Sequence, residues 1–379
     1  MMRTKLSVNG NEIFSELASL AKQTGALDAS RAQEGFAVPD LLEEVVARHF
    51  RPENYGYADA AGILPLRKAV VNKVNRLYGH RYDAESETMI TSGVSQAIFT
   101  VISTFVKEGD EVVVFEPAYQ TYVRAIEQNG GRAIFVPLKQ PHYQIDWEEV
   151  QKLINARTKL IVINTPHMLT GKIFSDEDML QLQKIVNGTK IMVLCDESFK
   201  HLVYDDTRHA SIAGYEKLAE HSILVTSFGK IFNIPGWKVG YCLAPADIMK
   251  AIRKTHVFQS FTVVKPLQLC LADLINAFDA YEGLANIYQK QRDRLLSHLQ
   301  QSGFSFVPSS GSYYQLLNYS ERSDEKDLDF VMRLVQEHNI SAIPLSVFYH
   351  DKTDHKSIAV CFANNNKRID IIGKALQQA

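Results

Sequence analysis

The chain has 379 residues, of which 46% are hydrophobic and 22% charged, and its formal net charge is -2. This composition is ordinary for a globular protein, and the near-neutral charge gives no reason to expect a nucleic-acid partner. No run of about 18 uncharged apolar residues occurs, so we predict no membrane span. We expect a cytoplasmic protein, because its four cysteines are scattered and its first residues, MMRTKLSVNGNE, lack an apolar signal core.

The middle of the chain alternates short apolar runs with helical patterns. The runs are continuous and rich in β-branched residues, which is typical of buried strands. They lie at residues 110–117, 131–138, 158–166, 190–197 and 222–229. Because amphipathic stretches separate them, we predict an α/β fold with a mainly parallel sheet flanked by helices.

The C-terminal part of the chain has a different pattern. A long helical pattern at 279–303 leads to FSFVPSSGSYYQLLNY, which is typical of a turn between strands, and a last strand is predicted at 357–362. We therefore predict a large domain of residues 46–280 and a smaller α+β domain of residues 281–379. Residues 1–45 are predicted to pack with the small domain or against a partner subunit.

Several polar groups come directly after the predicted strands. Asp196 closes one strand, and Ser227 and Lys230 lie at the end of another. In an open α/β sheet, ligands bind outside the carboxyl ends of the strands. The segment TSGVSQ (91–96) lies between a short strand and a helical pattern, and free backbone N–H groups at such a helix start suit a phosphate.

Together these groups fit pyridoxal phosphate. The Lys230 amine would form a Schiff base with the cofactor aldehyde, and the Asp196 carboxylate would keep the pyridine nitrogen protonated. Lys238 would supply a cation to the phosphate, and Tyr119 is placed to cover the ring. Singly, each residue has a simpler interpretation as a surface charge, a helix cap or a core side chain. Their joint occurrence in this order favours the cofactor, and we predict no metal site.

Seven motifs carry a resemblance that covers nearly the whole chain. They are YADAAGILPLRKAV, ITSGVSQAIF, GDEVVVFEPAYQTY, NTPHMLTGKIFS, LCDESFKHLVYD, SFGKIFNIPGWKVGYCLAP and GSYYQLLNY. In this order and spacing, the chain resembles the fold-type I, pyridoxal-phosphate-dependent aminotransferases of class I/II. Within that family it is most similar to the branch of methionine and kynurenine aminotransferases (glutamine transaminase K).

The resemblance implies a role for each matching residue. Lys230 would carry the Schiff base and shuttle the proton, Asp196 would pair with the pyridine nitrogen, and Tyr119 would stack on the ring. It also implies a homodimer with shared active sites, in which Tyr57 reaches the phosphate bound by the neighbouring subunit. The residues implied to hold the phosphate within one subunit are Val94, Ser95, Ser227 and Lys238.

The chain departs from the family pattern around the implied cofactor. Met168 stands where the family has an Asn, and Phe199 where it has a Tyr; both missing side chains donate to the phenolic oxygen of the cofactor. Ala359 replaces the Arg that binds the substrate α-carboxylate. The early substrate-side loop is also altered at Ala32, and the adjacent Arg31 is a candidate for binding the carboxylate instead.

Three functions remain open on the sequence. The first is an aminotransferase that moves the amino group of a methionine-, glutamine- or aromatic-type amino acid to a 2-oxo acid. The second is a pyridoxal phosphate enzyme of another reaction type, such as elimination, decarboxylation, C–C bond formation or oxidation, in secondary metabolism. The third is a binding protein without catalysis, which retention of Lys230 and Asp196 argues against.

Overall fold

A computed structural model describes residues 12–33, 36–277 and 283–379 of the chain. Its strands are β1 Leu27–Asp28, β2 Thr88–Thr91, β3 Glu111–Glu116, β4 Arg132–Pro137, β5 Thr158–Asn164, β6 Met192–Asp196, β7 Ser222–Ser227, β8 Gly240–Leu243, β9 Tyr314–Asn318, β10 Ile340–Ser341, β11 Ile343–Pro344 and β12 Ser357–Cys361. Its α-helices are α1 Ile13–Thr24, α2 Leu42–His49, α3 Leu64–Tyr78, α4 Val94–Phe105, α5 Gln120–Gln128, α6 Trp147–Leu153, α7 Asp176–Val186, α8 Glu216–Ala219, α9 Phe228–Ile231, α10 Ala246–Gln259, α11 Lys265–Asn276, α12 Leu284–Leu299, α13 Asp327–His338 and α14 Asn366–Gln378.

The large sheet has seven strands in the order β2-β8-β7-β6-β5-β3-β4. The five strands predicted in the middle of the chain correspond to β3 through β7, which run parallel to one another. Strand β8 runs antiparallel to both of its neighbours. Two apolar clusters cover the two faces of this sheet. The predicted α/β class with a mainly parallel sheet is confirmed.

Parallel pairing brings the site residues to one edge of this sheet. In the pairing of β5 with β6, Asn164 lies opposite Asp196 at the carboxyl ends of both strands. Ser227 ends the next strand, β7, and pairs with Gly240 of β8. Parallel strands aligned in this way place their C-terminal loops side by side, so the loops after β5, β6 and β7 share one crevice.

A second, three-stranded sheet has the order β11-β12-β9 and packs in its own apolar cluster. The predicted last strand corresponds to β12. Near the N-terminus, β1 pairs with β10, so residues 27 and 28 join the C-terminal part of the chain. The predicted domain boundary at 280–281, and residues 1–11 of the predicted N-terminal segment, lie outside the described residues. In the described ranges, no helix is both long and apolar enough to cross a bilayer.

Candidate active site

A cavity of about 570 Å³ lies where the carboxyl ends of the large sheet meet the small sheet. Most of the surface that lines it is apolar. The lining residues are Phe14, Arg31, Gly93, Val94, Ser95, Tyr119, Tyr122, Asn164, Met168, Asp196, Ser198, Phe199, Ser227, Lys230, Pro235, Lys238, Tyr313 and Tyr314. Ten residues singled out in the sequence are therefore gathered around one space.

Lys230 enters this cavity from the short helix α9, directly after β7. Its ε-amino group hydrogen-bonds the hydroxyl of Tyr313 and lies 5.5 Å from the centre of the Phe199 ring. Burial lowers the pKa of the Lys230 amine, because removal from water disfavours the ammonium form. A lysine that loses its proton more readily is a better nucleophile towards an aldehyde.

Asp196 ends β6 with its side chain buried. The Tyr122 hydroxyl donates to one carboxylate oxygen over 2.8 Å, and the backbone N–H of Ser198 donates to the other over 3.0 Å. Burial raises the pKa of Asp196, while these hydrogen bonds and the Lys230 charge act in the opposite direction. A buried carboxylate in this position favours a cationic N–H partner.

Part of the cavity lining offers donors for an anion. Helix α4 begins at Val94, and its first-turn N–H groups have no side-chain cap among the described residues. Gly93, Val94 and Ser95 line the cavity. The hydroxyls of Ser95 and Ser227 and the exposed Lys238 line the same space. Gly93 has φ +79°, a conformation that glycine adopts without strain, and a Cβ there would lie 3.5 Å from Lys238 Cε.

This set of groups fits pyridoxal phosphate. A helix start with two hydroxyls and a cation suits a phosphate dianion. A buried carboxylate suits a protonated ring nitrogen, and an amine with a lowered pKa suits an aldehyde. The partly exposed ring of Tyr119, at the N-cap of α5, also lines the cavity and can cover one face of the cofactor ring.

Two of the positions that depart from the family pattern lie on the same cavity. Met168 and Phe199 both line it, so the lining is apolar at two positions where the resemblance implies an amide and a phenol. Arg31 lines it as well, with its side chain 59% exposed and its guanidinium 2.9 Å from an Asp28 carboxylate oxygen. Three cationic side chains line the cavity, namely Arg31, Lys230 and Lys238.

Three residues singled out in the sequence lie away from this cavity. Ala359 is fully buried in β12, opposite Leu316 and Ile343. Ala32 packs against the apolar cluster of the small sheet. Tyr57 is 85% exposed and lines a different surface depression. The roles assigned to these three residues remain predictions.

The structure also adds lining residues that the sequence did not single out. Tyr122 lies three residues after Tyr119 on the first turn of α5, so helical spacing alone places both near one another. The Nδ2 group of Asn164 donates to the Asp196 carbonyl over 2.9 Å, linking the ends of β5 and β6. Tyr313 and Tyr314 lie in the motif GSYYQLLNY, which carries a sequence signal without indicating what the rings contact.

Comparison with known proteins shows extensive similarity. Residues 29–375 match the family described as aminotransferase class I and II. Methionine aminotransferase of Escherichia coli strain K12 is 37% identical over 377 residues, covering 99% of this chain and 98% of that protein. A kynurenine–oxoglutarate transaminase of Dictyostelium discoideum is 30% identical over 386 residues, covering 92% and 88% respectively. Among solved structures, YbdL from Escherichia coli, identified as having a methionine aminotransferase function, superposes with a TM-score of 0.94 at 37% identity, covering 97% of this chain and 96% of that one.

Proposed function

From the premise that this chain belongs to the class I and II aminotransferases and is a pyridoxal-phosphate-dependent transferase, we propose that it transfers the amino group of an apolar amino acid to a 2-oxo acid at the cavity around Lys230. The observation that carries the proposal is the convergence of Lys230, Asp196 and a helix start without a side-chain cap on one largely apolar cavity.

Bound pyridoxal phosphate supplies an electron-accepting ring that allows a C–H bond beside an amino group to ionise. The chain's own residues do the rest. The first turn of α4, with Ser95, Ser227 and Lys238, would hold the phosphate, and Asp196 would hold the ring nitrogen in its protonated form. The Lys230 amine would hold the cofactor covalently between turnovers. Once released, it would move a proton as a base of lowered pKa.

Borohydride trapping tests the role of Lys230. We expect peptide mass mapping of the reduced, cofactor-saturated protein to find the added mass on the peptide that contains Lys230. The variant K230A should lose both this label and amino transfer. Lys200, which is buried beside Glu197 and is not among the residues lining the cavity, should carry no label. Label on another lysine, with none on Lys230, would contradict the proposal.

The lining supports a donor with an apolar side chain. Phe14, Met168, Phe199, Tyr313 and Tyr314 present aromatic and thioether surface to the cavity. The proteins named above as similar include a methionine aminotransferase and a kynurenine transaminase. We therefore propose methionine and aromatic amino acids as the preferred donors, with glutamine, which is more polar, as a poorer one. Conversion of the bound cofactor to its amine form, monitored by absorbance across a panel of amino acids, ranks the donors.

Arg31 is the proposed partner of the donor carboxylate. The family's usual position is occupied by Ala359, whose methyl group is buried in β12 and cannot form an ion pair. Arg31 lines the cavity and carries a guanidinium that can bind a carboxylate through two parallel hydrogen bonds. Charge-assisted hydrogen bonds contribute about 1.5–3 kcal/mol, but exposure of this side chain places Arg31 at the lower end.

The test of Arg31 compares a substrate with and without its carboxylate. For R31Q we expect KM for methionine to rise about tenfold with little change in kcat, because the lost interaction acts on binding. KM for 3-(methylthio)propylamine, which lacks the carboxylate, should not change. R124Q removes an exposed arginine paired with Glu127 and is the matched control. An equal rise in KM for both compounds would exclude the carboxylate contact.

We also propose a homodimer with shared active sites in the cytoplasm. Tyr57, Phe258, Phe261 and Val264 are exposed apolar side chains, with Phe258 92% exposed, and the rings of Tyr57 and Phe261 are in contact. Exposed apolar groups of this size support a subunit interface. The four cysteines are all free thiols buried in the structure, which supports a reducing compartment.

A further inference from the structure

The ε-amino group of Lys230 has a partner from the other sheet. Lys230 lies just after β7 of the large sheet, whereas Tyr313 directly precedes β9 of the small sheet. The Tyr313 hydroxyl hydrogen-bonds the amine, and the amine lies 4.8 Å from the centre of the same ring. Within the described ranges of the chain, Tyr313 provides the hydrogen bond to this amine. The contact therefore joins the two sheets at the proposed reactive nitrogen.

Phe199 and Tyr313 flank the amine together. Their ring centres are 5.0 Å apart and their planes meet at 81°, an edge-to-face arrangement. Both side chains are buried. Of the two rings, only Tyr313 carries a hydroxyl, so the phenol that is missing at position 199 has a counterpart beside the same amine.

The backbone around Tyr313 is fixed by contacts on several sides. Ser312 has φ +72°, an uncommon conformation for a residue with a side chain, and its hydroxyl donates to the Met168 carbonyl. Its N–H donates to the carbonyl of Leu202 over 3.0 Å. The Tyr313 carbonyl in turn accepts from the N–H of Phe362 over 2.9 Å. These contacts fix the backbone from which the Tyr313 side chain reaches Lys230.

A phenol suits a lysine that gains and loses a proton. A neutral hydroxyl accepts a hydrogen bond from an ammonium group and donates one to an amine, so the contact persists in both states. Burial raises the pKa of the Tyr313 phenol, which keeps its proton in place, and lowers that of Lys230. An aromatic ring without a hydroxyl, as in Phe199, offers the amine only its face.

We infer that Tyr313 is the positioning residue of Lys230, and that its hydroxyl places the amine between two rings of which Phe199 offers no hydroxyl. Tyr313 holds the ε-amino group towards the cavity before the cofactor binds and after the amine is released. The inference rests on the proposed role of Lys230.

The first test measures cofactor capture, which does not depend on turnover. Apoprotein is mixed with pyridoxal phosphate, and the absorbance change is recorded across pH. For Y313F we expect the capture rate constant to fall about tenfold, as loss of one hydrogen bond predicts, and its pH midpoint to move. Y319F is the matched control, because Tyr319 is also buried but lies outside the cavity lining, and its hydroxyl donates to the Glu325 carbonyl over 3.0 Å. Y319F should keep both the rate and the midpoint.

The second test restores the hydroxyl from the other side of the amine. In the double variant F199Y/Y313F we expect much of the capture rate, and much of kcat with methionine, to return. The KM for methionine should change little in Y313F and in the double variant. Melting temperatures verify that each variant is folded. If Y313F alone is unstable, the capture rate of the double variant is compared with that of the unaltered protein instead. Identical capture rates and pH midpoints for Y313F and Y319F would overturn the inference. Absence of borohydride label on Lys230 in the unaltered protein would overturn the proposed function with it.

Discussion

Asp196 must carry a negative charge in a place that disfavours one. Burial raises its pKa, and hydrogen bonds from Ser198 and Tyr122 lower it again. The balance matters because only the ionised carboxylate holds a protonated ring nitrogen. Tyr122, which no motif had singled out, is therefore part of what sets the charge of Asp196.

Tyr122→Phe should weaken cofactor binding. The hydroxyl donates to the Asp196 carboxylate over 2.8 Å, and a hydrogen bond to a charged group contributes about 1.5–3 kcal/mol. We expect the Kd for pyridoxal phosphate to rise about 10- to 100-fold, with a larger effect at low pH because the Asp196 pKa rises further. Fluorescence titration of the apoprotein measures this.

Tyr82→Phe is the control for that variant. The Tyr82 side chain is also buried, but its hydroxyl has no hydrogen-bond partner in the described part of the chain. Its removal should leave cofactor affinity unchanged and stability the same or slightly higher. Equal losses of affinity in the two variants would show that Tyr122 acts through packing alone.

The sequence predicted the positions of some polar site residues and not of others. Asp196 and Lys230 lie at or just after the carboxyl ends of parallel strands, and the shared edge of such strands brings their C-terminal loops together. Tyr313 could not be placed, because its contact with Lys230 joins two sheets separated by about eighty positions of sequence. No local pattern in the sequence indicates that these two side chains are in contact.

At the scale of elements, strand β8 supports the start of helix α4. A Cβ on Gly240 would lie 2.5 Å from the Thr226 carbonyl oxygen and 3.0 Å from the Gly93 carbonyl carbon. Both neighbours are backbone atoms and cannot rotate away. The close approach of β8, β7 and the α4 start therefore requires a residue without a side chain at position 240.

Gly240→Ala should destabilise the protein and weaken phosphate binding. Inserting a methyl group against backbone typically costs about 1–3 kcal/mol, and here the shift would displace the first turn of α4. We expect a lower melting temperature and a higher Kd for inorganic phosphate. Gly236→Ala, where a Cβ meets no atom within 4 Å, should change neither. A Gly240→Ala protein with unaltered phosphate binding would contradict this account of the helix start.

The elements themselves were largely predictable where the pattern is strong. Strands β3 to β7 are continuous β-branched runs in the sequence, and their bounds agree with the predicted ranges to within two residues at each end. Strand β8, GYCL, was not predicted, because four residues after a Gly- and Pro-containing loop give no period to detect. In the segment 304–319 only β9 is a regular strand, since Ser305 forms an isolated bridge with Asn318.

Buried histidines are expected to lower the stability of the whole molecule at low pH. His167 is buried, accepts from the Thr170 N–H through Nδ1 and donates through Nε2 to the Pro117 carbonyl, so it is held neutral. Burial lowers its pKa from 6.5 to about 4, and the pKa values of His201, His209 and His256 are lowered for the same reason. Because the unfolded chain binds protons more readily at these groups, their stability contribution is present above pH 6.5 and is lost as pH falls towards the folded pKa.

We therefore expect the free energy of unfolding to fall between pH 6.5 and 5. Each such histidine contributes a slope of up to about 1.4 kcal/mol per pH unit. Urea titrations at closely spaced pH values measure the slope. His167→Asn should reduce the slope as well as the stability, whereas Ile163→Val, which removes a buried methyl group, should lower stability equally at each pH. A pH-independent stability over this range would contradict the assignment of a neutral His167.

The proposed dimer can be tested at its most exposed side chain. Phe258→Asp places a charge on a ring that is 92% exposed, so the folded subunit should tolerate the change. We expect sedimentation to show monomers at concentrations where the unaltered protein is a dimer, together with a loss of amino transfer. Lys254→Asp, on the same helix α10, is the control for added charge. A dimeric Phe258→Asp protein would place the interface elsewhere.

The pairing of Arg31 with Asp28 has a consequence for selectivity. The hydroxyls of Ser30 and Ser341 both donate to the Asp28 carboxylate and hold it in place. The carboxylate of an incoming amino acid must therefore compete with Asp28 for the Arg31 guanidinium. Exchange of one carboxylate for another at the same guanidinium offsets part of the gain, which limits the contribution of Arg31 to about tenfold in KM. An enzyme built in this way would discriminate among donors by the fit of the apolar side chain rather than by the carboxylate that all of them share.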